Sequence, residues 1–163
     1  MIDNILVEKL QEMITQCFTA NRYMDRICSV LNCDFAMCNT SELLHLNVAH
    51  YYPILADKIG EKCLERYNIS ILYGETPSGN ASYENFKDTI SDALVVSNDI
   101  VNKMQECIEL AQNTRTYFIV SELLELLNDV NKIREQLILL DDKANQYLNC
   151  AEFDKDVKTF WSL

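Results

Sequence analysis

A chain of 163 residues, 48% of them hydrophobic, has the material to bury the core of one domain, and residues 1–163 are read as a single domain. The formal net charge of −11 and the lack of any Lys/Arg run argue against a nucleic-acid partner, since a duplex with one phosphate charge per roughly 1.7 Å would repel such a surface. No apolar run approaches the ~18 residues of a membrane span, and "MIDNILVEKLQEM" has acidic residues where a secretory leader would be basic and then apolar, so a cytoplasmic protein with no membrane partner is expected.

From Asn4 to about Leu31, Leu6, Leu10, Met13, Cys17, Met24 and Cys28 recur at helical spacing and predict a first long helix. The stretch "NCDFAMCNTS" breaks the pattern. Thr40 or Ser41 is positioned to cap a second helix reaching about Tyr67, burying Leu44, Val48, Tyr52, Leu55 and Ile59. Pro53 lies inside that helix and removes one backbone donor, which predicts a bend or irregularity near Ala49 to Pro53. The pattern then lapses over "ISILYGETPSGNASYENF". A third helix is predicted from about Lys87 to Gln112 and a fourth from about Arg115 to Leu148, joined by a very short turn.

The connection lengths set the topology. A helix of about 27 residues is roughly 40 Å long, and eighteen extended residues reach about 59 Å. The long connection can therefore run the length of the molecule, which an up-down-up-down bundle would not need. The expected fold is all-α: a ferritin-like four-helix bundle with a long crossover between its second and third helices. The aromatic tail 149–163, with Phe153, Phe160 and Trp161, is expected to dock on its own bundle or on a neighbouring subunit.

The seven cysteines are odd in number and contain no CxxC pair, which fits free thiols in a reducing compartment. Cys33, Cys38, His45 and His50 cluster around the first break, and thiolate with imidazole is zinc chemistry. On a regular helix, however, residues five apart stand about 140° around from each other, so His45 and His50 converge only if Pro53 unwinds the turn. The competing reading has both thiols filling apolar space and His45 hydrogen-bonded at the bundle edge. Glu122, Glu125 and Asp129 share one helix flank, as a cation-binding strip or simply a solvated face. No Gly-rich phosphate loop occurs, and nucleophilic catalysis has no support.

The stretches "LLHLNVAHYYPILADKIGEK" and "ALVVSNDIVNKMQECIELAQNTRT" resemble the second and third helices of the Dps-like branch of the ferritin superfamily, small proteins that assemble as hollow dodecamers. The resemblance runs from about residue 5 to 148. It implies iron binding or iron storage, possession of a ferroxidase site, and a homo-oligomer, with a dodecameric cage as the family's form. Within the bundle, Glu42-Leu-Leu-His45 has the Glu-x-x-His spacing of a di-iron site, but Glu106, Glu109, Glu122, Glu125 and Asp129 fall off the apolar stripes and do not complete it. The family's inter-subunit site falls on Cys33, His45, Ala49, Gly60 and Leu64, of which His45 alone matches.

The metal set these readings leave is Cys33, Glu42 and His45, with iron as the ion implied by resemblance and zinc as the less favoured one. Ferroxidase activity is expected to be weak or lost. The alternative is a helical scaffold or interaction protein that binds no metal. DNA protection is disfavoured, because twelve copies would carry a charge of about −130.

Overall fold

The computed structural model describes residues 1–163 and is all-helical. Its helices are α1 (Asn4–Cys33), α2 (Cys38–Leu44), α3 (Tyr51–Cys63), α4 (Phe86–Asn113), α5 (Tyr117–Ala144) and α6 (Cys150–Asp156). A π-turn over His45–Ala49 joins α2 to α3. Leu44, His45 and His50 all keep right-handed helical backbone, so α2, the turn and α3 form one rod in the place of the predicted second helix. No helix is long and apolar enough to cross a membrane.

Contacts between elements give the directions. Ser41 Oγ donates to the Cys28 carbonyl (2.7 Å) and Asn21 Nδ2 to the Ala49 carbonyl (2.8 Å), so the α2–α3 rod runs antiparallel to α1. Cys107 Sγ donates to the Lys9 carbonyl and Lys103 pairs with Glu12, which sets α4 antiparallel to α1 as well. Arg134 Nε donates to Asn98 Oδ1 (2.6 Å), and α5 returns along α4 after a three-residue turn in which Arg115 takes a left-handed backbone, φ 56°. Each long rod thus packs on two others: α1 on α3 and α4, and α5 on α4 and α3.

Because α3 and α4 point the same way, the chain between them must cross from one end to the other. It leaves through Asn68, which is left-handed at φ 62°, and runs alongside α1 in the same direction. Gln11 Nε2 donates to the Ser70 carbonyl, Gly74 N to Thr15 Oγ1, and Arg26 Nε to the Ala81 carbonyl. These anchors span about 22 Å of helix at 1.5 Å per residue. At Gly79 the backbone lies so close to α1 that a Cβ would come within 3.2 Å of the Arg22 carbonyl oxygen. The segment ends at Asn85, whose side chain accepts from Asp88 N (2.9 Å) and caps α4.

The core is apolar from end to end: 43 buried hydrophobic residues form one cluster, including Leu6, Leu10, Met24, Leu44, Leu55, Ile100, Leu123 and Leu137. Two expectations need correcting. The fourth helix stops at Ala144 rather than Leu148, because Asn145 Nδ2 turns back onto the Asp141 carbonyl and Asn149 caps a separate helix by accepting from Glu152 N. Neither Thr40 nor Ser41 is the N-cap of α2, which begins at Cys38 after an uncapped Met37.

The cap comes instead from the tail. Asp154 on α6 is 6% exposed; its Oδ1 accepts from Thr40 N and Thr40 Oγ1, both at 2.7 Å, and its Oδ2 accepts from Asn39 N at 3.3 Å. A carboxylate at the positive end of a helix, with donors on both oxygens, is a favourable way to bury a charge. Phe153 packs beside it among Phe86, Tyr147 and Phe160, so the tail docks on its own bundle. Asp154→Ala leaves the buried donors of Thr40 and the half-buried N–H of Asn39 unmet and is expected to cost about 2–3 kcal/mol of unfolding free energy, read as a lower urea midpoint at unchanged slope.

Candidate functional site

The irregularity predicted near Pro53 is present, and its cause is local. Pro53 has no N–H, so the Ala49 carbonyl one turn earlier loses its ordinary helical donor. Asn21 on α1 supplies the replacement through its side-chain amide. The preceding turn widens to five residues, with His50 N donating to the His45 carbonyl at 3.1 Å. This widening moves the two imidazoles together. They meet edge-to-face with ring centroids 4.2 Å apart, where a regular helix would have separated them.

His45 also faces α1, with Nδ1 lying 3.3 Å from Asp25 Oδ1. Asp25, Cys28, Cys33 and His45 line one surface depression of about 260 Å³ at the α1–α2 junction. Glu42 lies elsewhere, lining a second depression with Leu46, Lys158 and Trp161. The structure therefore brings together Cys33 and His45 of the expected metal set and puts Glu42 apart. No three His, Cys, Asp or Glu side chains of a single chain are gathered closely enough to hold one ion. Sequence reasoning missed Asp25, a lone acid on an exposed helix face whose partner His45 lies twenty positions further along the chain.

The centre of the bundle has different chemistry. Cys17, Tyr52 and Ser97 are all fully buried, and the Tyr52 and Ser97 hydroxyls are neighbours without reaching hydrogen-bond geometry. Burial pushes the Tyr52 phenol and the Cys17 thiol far up; Ser97 opposes the rise at Tyr52 while Cys17 and Tyr51 add a little to it, and Cys107 adds a little at Cys17. The sole buried carboxylate of the chain is Asp154, already held by α2. Thiol, phenol and hydroxyl in an apolar interior do not make the oxygen-rich, carboxylate-bearing cage that iron prefers.

The acidic flank of α5 is partly neutralised. Glu122 pairs with Lys62 Nζ (3.3 Å) and with Arg66 Nη1 (3.1 Å), so it ties α5 to the end of α3. Asp129 lies 4.0 Å from Lys132 on its own helix. Glu106, Glu109 and Glu125 are exposed.

No protein-family model matches the chain. No curated protein matches it in sequence. Solved structures do match it. A histidine variant of the ferritin PmFTN, soaked in iron for 3 h, aligns at TM-score 0.84 and 13% identity over 93% of this chain and 98% of that one. The same variant soaked for 45 min gives 0.85 at 13% identity with the same coverage. A glutamine variant soaked overnight gives 0.81 at 12% identity over 88% and 90%. At such identities the likeness defines the fold: this chain is built as a ferritin subunit is.

The thiols divide sharply by environment. Cys33 and Cys38 are exposed, whereas burial raises Cys28, Cys63 and Cys107 from 9.0 to about 12 and Cys17 further. Titration of native protein with an aromatic disulfide reagent should find two fast thiols, a slower half-buried Cys150, and four that react only after denaturation. The same shifts give a pH dependence. An unfolded chain releases these thiol protons near 9 while the folded one holds them to about 12, so their contribution to stability is intact below pH 9. It should be lost progressively as pH rises from about 9 toward 12, measurable as a falling urea midpoint across that range.

Proposed function

We propose that this chain is an oligomeric, metal-binding member of the ferritin-like proteins, of Dps-like kind, acting in the cytoplasm, with iron storage as the family role and with no ferroxidase centre inside the bundle. The observation that carries the reading is the depression shared by Asp25, Cys33 and His45 on the outer α1–α2 face. One copy offers too few donors there for a closed site. Pairing of the same face on two copies about a two-fold axis would double the donor set, which is how an isologous interface completes a half-site. Iron, or less favourably zinc, is the ion proposed, and Cys33 and His45 are its proposed ligands, with Glu42 in a separate depression. The −11 charge per chain draws cations toward such a surface.

The second reading is a scaffold that keeps the fold and the assembly and binds no metal; the carboxylate-free bundle centre of Cys17, Tyr52 and Ser97 favours it. The two separate in one experiment. Untagged protein is run on size exclusion with light scattering, the peak is analysed for metals by mass spectrometry, and Fe(II) is then added with oxygen or peroxide. The metal reading expects iron or zinc near stoichiometric on an oligomer, and loss of any protein-dependent ferric colour in His45→Ala. A metal-free oligomer that leaves iron oxidation at the buffer rate would establish the scaffold instead.

A further inference from the structure

His45 and His50 are the only histidines in the chain, and the structure spends a rare backbone feature on bringing them together. Asn21 and Asp25 sit one turn apart on the same face of α1. Asn21 holds the Ala49 carbonyl at the end of the π-turn, and Asp25 faces His45 Nδ1, so one short stretch of α1 fixes both the turn and the ring. A carboxylate at Nδ1 favours the tautomer with its proton there and leaves the Nε2 lone pair free. That is the side of the ring from which an outer carboxylate orients a metal-binding imidazole. His50 is exposed and His45 half-exposed, so the pair is open to ions from solution.

We infer that His45 and His50 form a bis-imidazole site for a borderline divalent cation of the zinc, nickel or copper class, with Asp25 as the outer partner of His45. Two imidazoles suit those ions better than they suit iron(II) or manganese. Water fills the remaining positions on an isolated subunit, and a second copy docked on this face can displace it. The inference deepens the surface-metal reading and rests on it through His45, but the second donor differs: His50 here, Cys33 there. It also gives the π-turn a purpose, since a regular helix over residues 45–49 would place the two rings about 140° apart.

The test uses the full chain, stripped of metal by chelator, titrated calorimetrically with Zn(II) alone and followed by proton NMR of the two imidazoles. One zinc per chain is expected, with both histidines shifted together and Cu(II) binding tighter than Zn(II). His50→Ala should weaken zinc binding at least about tenfold, and Asp25→Asn about tenfold with both ligands still present, as loss of an outer-shell partner does. Zinc binding untouched by His50→Ala but lost in Cys33→Ser would overturn the bis-imidazole site while leaving the surface-metal reading standing. No saturable zinc binding at all would overturn the bis-imidazole site directly, and the metal content of the purified oligomer would then decide the surface reading separately.

Discussion

A single missing hydrogen shapes the face of this protein where α1 meets the π-turn. Pro53 cannot donate to the Ala49 carbonyl, and in a bundle whose second rod packs tightly on α1 that carbonyl has no route to bulk water. The Asn21 amide meets it at 2.8 Å. With the carbonyl held from outside the helix, the preceding turn can carry one extra residue, and the extra residue rotates everything before it by about a quarter turn relative to everything after it. His45 and His50 come into contact, Asp25 comes to face His45, and the apolar residues Val48, Ala49 and Tyr52 still point inward. A fold can therefore hold its core in register while re-aiming one pair of polar side chains.

Much of this architecture is legible in the order of residues. Three Gly and two Pro leave few places to turn, the 3.6-residue recurrence of Leu, Ile, Met and Cys marks four rods, and the eighteen-residue lapse before Phe86 is long enough to run the length of the molecule. The π-turn was half visible: Pro53 announces a disturbed bond, but which direction the helix yields depends on Asn21, 28 positions away, and no local pattern encodes that meeting. The cap of α2 was hidden for the same reason. Thr40 and Ser41 look like caps by type, yet the oxygen that serves comes from Asp154 at the far end of the chain, and Thr40 turns out to be a donor to it. Asp25 was overlooked because a lone acid on an exposed helix face carries no signal until its partner is known.

The interior explains why a ferritin fold need not mean ferritin chemistry. Helix packing asks only that facing positions be apolar and complementary in volume, and Cys17, Tyr52 and Ser97 satisfy that as well as a ring of carboxylates bound to metal would. A carboxylate cage without its ion is costly in such surroundings, so a chain that dispenses with the ion gains by replacing the acids. What remains is a bundle whose acidic residues lie outside, several tied to lysine or arginine, and whose one buried carboxylate serves as a helix cap. The metal chemistry proposed for this chain lies instead at the rim where α1, α2 and the π-turn meet.

The most direct test of that placement is anomalous diffraction at the zinc edge from crystals of the full chain soaked in zinc. A peak about 2.0–2.1 Å from an imidazole nitrogen of both His45 and His50, with Asp25 behind His45, is the expected result. A peak bonded to Cys33 without His50, or a regular α-helical turn over residues 45–49 with the two rings apart, would contradict it.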